Sequence, residues 1–429
     1  MISHFRFIRS AVILLALLMG SFTGHAAVPS SERAALIALY NATDGSHWTN
    51  NTNWNGAAGT ECTWSGIFCG SDHVVVLRLN NNKLNGTLPS TLFAASGAAC
   101  LPALTEIELN GNQLKGSIPP INALSQLVYA DFSNNQFTGG FPSLAGMFSL
   151  RFIAVQANQL TGPLPSLAGL TQLTSVYAFF NDFSGTIPSL AGLTNLGYFF
   201  LGSDSLTGGL PTLTGLANLQ EFSFSGSSIG GTLPSLAGLT KLHYFAVFNS
   251  NVQGSIPSLS GLTNLQRISL HDDQLTGSIP SLAGLSSLTD IDFSHNQLTG
   301  PVVGLSSATN LNNLNLSANQ LSGAFPALTG LTQLSDVRLD HNVISGNVQS
   351  LAAFANLRSF VVDHNLLGGP VPAPPTPNLL SPSDSKLCPN LFNTGLSAND
   401  AAWNAATGYT PWWQEQTDVC DVLFRNGYE

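Results

Sequence analysis

Leucine returns every 23 residues along most of this chain, at positions 104, 127, 150, 173, 196, 219, 242, 265, 288, 311, 334 and 357. A period of that length, held without a slip, restricts the fold to a stacked array, because each unit is too small to bury its own apolar side. One unit reads Leu104-x-x-Ile107-x-Leu109-x-x-Asn112-x-Leu114-x-Gly116-x-Ile118-Pro119. An earlier unit starts at Val74, with Leu77, Leu79, Asn82, Leu84, Gly86 and Leu88-Pro89. It precedes the next by 30 residues and carries an insertion that includes residues 94–100. The L-x-x-L-x-L segment predicts a short strand whose leucines point inward while the residues between them point out. Thirteen such strands, about 4.8 Å apart, would run roughly 60 Å. The Asn column turns the chain and can satisfy backbone groups that the turn leaves unpaired. Gly permits a tight turn, and Pro blocks helix continuation. The expected fold is an α/β repeat solenoid with parallel strands on a concave face.

The L-x-G-x-(I/L)-P portion resembles the plant-type leucine-rich repeats, the subclass found in receptor-kinase ectodomains and polygalacturonase-inhibiting proteins. The resemblance spans residues 74–372. It implies a right-handed curved superhelix of 13 repeats, capped at both ends. The plant repeat is usually one residue longer, and here the convex segment is compact, as in residues 165–173. That departure, with a C-terminal tail (residues 423–429) similar to those of some proteobacterial secreted proteins, points to a bacterial secreted member. Residues 30–71 resemble the family's N-terminal cap. Ser30 is expected to cap a helix through residues 32–40, followed by Trp48, Trp54 and the string Cys62-Thr63-Trp64-Ser65-Gly66-Ile67-Phe68-Cys69.

The expected organisation is a signal peptide over 1–26, a cap over 27–73, repeats over 74–372, a Pro-rich linker over 373–387, and a C-terminal cap and tail over 388–429. Arg6 and Arg9 followed by an apolar run are the marks of the signal, and that run is too short to span a bilayer. Export permits disulfides, and proximity pairs Cys62 with Cys69 and Cys388 with Cys420, leaving Cys100 over. All six Trp lie at the two ends, where they are expected to plug the stack; Trp412-Trp413 as a sugar platform is the alternative. Without the signal, 11 Lys and Arg face 23 Asp and Glu, a net charge of −12. That balance argues against nucleic acid or anionic lipid as a partner. With 44% hydrophobic residues, the chain has the apolar content to fold rather than stay disordered.

No motif carries catalysis. Gly226-x-Ser228-x-Gly230 places a serine between glycines, and Ser227 beside it falls in the inward-turned Asn column, so no nucleophile elbow is expected. Nothing puts a nucleophile beside an oriented base, and no cofactor is implied. The strand phase instead displays aromatics on the concave face: Tyr129, Phe152, Tyr177, Phe179, Phe180, Tyr198, Phe200, Tyr244 and Phe248. An exposed aromatic strip usually marks an interaction site. Later repeats change to His271, Asp272, Asp290, Asp292, His295, Asp336, Arg338, Asp340, His341, Asp363 and His364. His341 with His364, and Asp340 with Asp363, share columns close enough for a common cation. The stronger reading is a polar, acidic half of a binding face, with no metal ligand assigned. The chain is therefore expected to be secreted and non-enzymatic, binding a protein or peptide on its concave face; the alternative is a glycan-binding or adhesive protein of the cell wall, with polysaccharide as partner.

Overall fold

The computed structural model describes residues 27–94, 100–202, 205–226, 228–376, 378–381, 384–393 and 397–413. The expected signal peptide, Ser227 and Cys420 fall outside the described residues, as does Asp204, which occupies the Asn column. Thirteen parallel strands, from His73–Arg78 to Ser359–Val361, form one sheet, and Ile67–Gly70 adds an antiparallel strand at its N-terminal edge. The register never slips: Tyr129 pairs with Phe152, Phe152 with Ser175, and Ser175 with Tyr198. The sequence period is thus the step of the stack. Alternation does the rest, since Leu104, Ile107 and Leu109 are fully buried while Glu106 and Glu108 between them are partly exposed.

The Asn column works as a ladder. Asn135 Oδ1 accepts from the Leu114 amide at 3.0 Å, and its Nδ2 donates to the Leu109 and Phe132 carbonyls. Each Asn thereby bridges its own repeat to the previous one. The ladder runs past the thirteenth repeat: Asn390 donates to Val362 and Leu387 carbonyls and accepts from the Leu367 amide. Lys386 bridges Val361. The expected linker therefore ends packed against the last strand.

A second ribbon follows each Asn. Segments such as Gln159–Pro163 and Gln274–Ser278 pair in parallel, giving seven strands from Asn85–Thr87 to Ile229–Gly230 and seven from Gln253–Ser255 to Leu391–Phe392. The isolated bridge Thr232–Gln253 and the Asn251 amide, which donates to the Ile229 carbonyl at 2.8 Å, join the two. On the convex side, serines such as Ser166 and Ser189 accept from the amide two residues on, at 3.3 and 3.2 Å. These turns replace helices, so the α-helices of the described residues lie only at the ends.

At the N-terminal end, α1 (Ser30–Ala42) buries Ala35, Leu36 and Leu39. Its N-cap is Pro29, and no side chain caps it. Ser30 is the first helical residue rather than the expected cap. Buried Glu32 takes the Val74 amide at 2.7 Å and His73 Nδ1 at 2.5 Å, fixing the helix to the first repeat. Trp48, Trp54 and Trp64 form a buried run of ring contacts, closed by the Cys62–Cys69 disulfide. At the other end, α2 (Asp400–Thr407) brings Trp403 under the last repeat, its Nε1 donating to the Pro372 carbonyl at 2.9 Å. Trp412 is buried and donates to Asp400, and its ring stands at 87° to Trp413. The two rings therefore stand edge to face rather than as one flat surface. Cys388 is buried and disulfide-bonded. Burial pushes the Cys100 thiol up, with Glu32 adding to it.

Candidate ligand-binding face

The outward positions of the concave strands line up in columns. One holds Tyr129, Phe152, Ser175, Tyr198, Glu221, Tyr244, Arg267, Asp290, Asn313 and Asp336. The next holds Ala154, Tyr177, Phe200, Ser223, Ala246, Ser269, Asp292, Asn315 and Arg338. The structure brings the predicted aromatics together as a ring ladder. Tyr129 stacks on Phe152 at 4.3 Å and 5°, Phe152 meets Tyr177 at 5.6 Å, and Tyr177 stacks on Phe200 at 5.2 Å. Phe200 lies 6.4 Å from Tyr244.

Tyr177 departs from expectation. It is only 5% exposed, walled in by Phe152 and Phe200. Burial, then the Glu221 carboxylate, pushes its hydroxyl far up. It is a pillar of the ladder rather than a contact surface. Tyr198 and Tyr244 are less enclosed, and burial raises both hydroxyls; Tyr198 donates to Gln220 at 3.0 Å. Phe180 is 72% exposed and holds φ +54, a region bulky side chains rarely enter. It packs against half-buried Phe179 at 5.1 Å. Phe248 stacks on His271 at 4.8 Å, joining the two halves of the face.

The polar half is more internally paired than its composition suggests. Asp292 Oδ1 takes both the Ser294 amide and hydroxyl. Asp290 pairs with Arg267 at 3.1 Å and accepts from Asn313. Asp363 is 3% exposed, so it is no surface contact. Asp340 is half-buried against His341. Between the halves lies a shallow depression lined by Tyr244, Arg267, Ser269, Asp290, Asp292, Asn313 and Asn315. Sequence reading passed over Arg267, Asn313 and Asn315. The 23-residue register was the signal that could have found them, since it puts Arg267 directly beside Tyr244.

No family model matches the chain. A probable inactive receptor kinase of Arabidopsis thaliana is 32% identical over 90 residues, which cover 21% of this chain and 12% of the kinase. Among solved structures, a TDR receptor is 29% identical, with a TM-score of 0.65, covering 77% of this chain and 57% of the receptor. The plant peptide hormone receptor RGFR1 in complex with RGF2 is 30% identical, with a TM-score of 0.62 over 72% of this chain and 54% of the receptor. The Arabidopsis receptor kinase HAESA, in complex with the peptide hormone IDA and the co-receptor SERK1, is 27% identical, with a TM-score of 0.62 over 80% of this chain and 58% of its own. The chain thus spans little more than half the length of these receptors. Its fold is the leucine-rich-repeat superhelix, and its neighbours are plant receptor ectodomains. No helix among the described residues is long and apolar enough to cross a membrane.

Proposed function

We propose that this chain is a secreted, non-catalytic recognition protein that takes an extended peptide segment across its concave face. The observation that carries the reading is the depression from Tyr244 to Asn315, where a ring ladder meets an Arg–Asp pair and two amides. Exposed ring edges supply apolar contact, while the Asn side chains supply donors and acceptors for a peptide backbone. Two of the neighbouring receptors are solved with peptide hormones bound, which supports the ligand class. The net charge favours a neutral or basic segment. The ladder weighs against sugar stacking: rings packed face to face at 4.3 Å spend their faces on each other, and a sugar needs a ring face.

The test is a binding screen of residues 27–429 against synthetic peptide pools graded in charge and against soluble cell-wall polysaccharides. The variant combines Phe180→Ala, Tyr198→Ala and Tyr244→Ala, leaving the Tyr177 pillar in place. A peptide that binds the native protein and loses about tenfold or more on the variant, with circular dichroism unchanged, supports the reading. Binding that weakens from low to high salt adds support for the charged border. Capture of polysaccharide alone, or equal peptide binding by both proteins, overturns it.

A further inference from the structure

At the far end of the concave face, two repeats place His341 and His364 in one column and Asp363 beside them. We propose that these three side chains form a site for a single divalent transition-metal ion of the zinc class. One donor atom from each lies within 4.8 Å of the others. The imidazoles are parallel, with centroids 4.1 Å apart at 14°. Both residues hold a left-handed backbone, φ +54 and +52, so successive turns send both rings out along the same edge of the sheet.

Each ring already sits against a carboxylate. Asp340 Oδ2 holds His341 Nδ1 at 3.1 Å, and Asp363 Oδ2 holds His364 Nδ1 at 2.9 Å. A carboxylate placed as Asp340 is fixes a ligating imidazole's tautomer and direction, whereas Asp363, beside His364 Nδ1, is placed to share an ion with that nitrogen. A second, independent feature comes from Asp363 itself. It is 3% exposed, and its Oδ1 is buried with no hydrogen-bond partner among the described residues. A buried, unsatisfied carboxylate oxygen is costly, and a cation beside it removes that cost.

The donor set selects the ion. Two imidazoles and one carboxylate suit zinc, copper or nickel, while calcium and magnesium require six or more oxygens or a hydrated octahedron. Arg338 and Lys386 occupy the neighbouring column on either side of Val361, which further disfavours a site held together by acid charge alone. A tetrahedral ion with bonds near 2.05 Å sets its donor nitrogens about 3.3 Å apart. The stacked rings need only tilt together slightly, and both are exposed enough to do so. Three protein ligands leave a fourth position facing solvent, available to water or to a donor from whatever lies on the face.

The site is separate from the depression described above, so either can fail without the other. The test titrates the untagged full chain with zinc chloride by calorimetry. It repeats with cobalt(II), whose visible absorption reports tetrahedral coordination. The variants are His341→Asn and His364→Asn, because the same backbone position is already asparagine at Asn134 and Asn249, at φ +53; both remove the imidazole without straining the turn. His295→Ala, an exposed histidine two repeats earlier with Ala318 beyond it, is the control. The proposal expects one zinc per chain with a Kd of about 10 µM or tighter. It expects a loss of about tenfold to a hundredfold in each histidine variant and in Asp363→Asn, with no change in the control. Absence of saturable binding overturns it. So does stoichiometric binding that survives both histidine substitutions together, or displacement of zinc by equimolar calcium.

Discussion

Asp273 stands where most repeats carry the ladder asparagine, and it shows what half an amide does. Asn296, one repeat later, donates through Nδ2 to the Leu270 and Phe293 carbonyls and accepts through Oδ1 from Leu275. Asp273 keeps the accepting half, taking the Ser250 amide at 3.1 Å, but its buried Oδ2 has no hydrogen-bond partner among the described residues. Burial is the main cause that pushes this carboxyl up to about 7, and Asp272 adds to it, against the Ser250 and Val252 amides that lower it. The unfolded carboxyl titrates near 3.9. Between about pH 4 and 7 the folded state therefore holds a proton the unfolded state has lost. The associated stability is complete below pH 4 and falls as pH rises through about 7. Asp273→Asn should restore the donor and raise stability at pH 8 by about 1–3 kcal/mol, with a much smaller gain at pH 4.5. Thermal melts of both proteins at the two pH values decide it, and equal gains at both would remove protonation from the account. The lapse at Asp273 was visible in the sequence. The loss of a donor follows from the residue type as well, while the burial of the oxygen left over appears only with the surrounding repeats in place.

The capping elements and the second ribbon differ in how openly the sequence announces them. The N-terminal cap was legible because its chemistry is dense and local: three Trp and two Cys within residues 48–69. The ribbon strands were not. Gln-x-Thr-Gly segments carry little intrinsic strand preference, and they pair only because the concave sheet already holds successive turns in register. A stack that contacts only its neighbours should also open from its weakest end. The Cys62–Cys69 bridge closes a short loop over the N-terminal end, with Cα atoms 5.6 Å apart. Replacing both cysteines by serine should cost about 2–3 kcal/mol. Hydrogen exchange locates the effect: protection should fall in residues 74–130 and stay unchanged in 311–361. A uniform fall along the chain would show that the cap does not act locally.

Across the whole molecule, twelve strands and their register followed from the period, and the first, paired with the second at an offset of 30 residues, followed from its matching motif, since each repeat needs only the one before it to set its place. What the period could not supply was exposure within a column. Tyr177 and Tyr198 both read as outward-facing, yet Tyr177 is buried because large rings flank it in the repeats on both sides. Tyr198 pairs across the sheet with Ser175 and Glu221, and stays partly open. Burial on this face is therefore a property of three repeats at a time, while backbone register is a property of two. Removal of residues 311–333, one full period, tests that division. Asn310 would then lead directly into Leu334, and Asn342 would meet the Leu298 amide that Asn319 now serves. The shortened chain should melt in one cooperative step within about 10 °C of the native midpoint. Removal of residues 311–322 alone cuts about half a turn and puts strand against ribbon. That variant should lose the cooperative transition and gain exposed apolar surface, read by dye binding. Similar melting of the two deletions would mean that the 23-residue step is not what holds the stack in register.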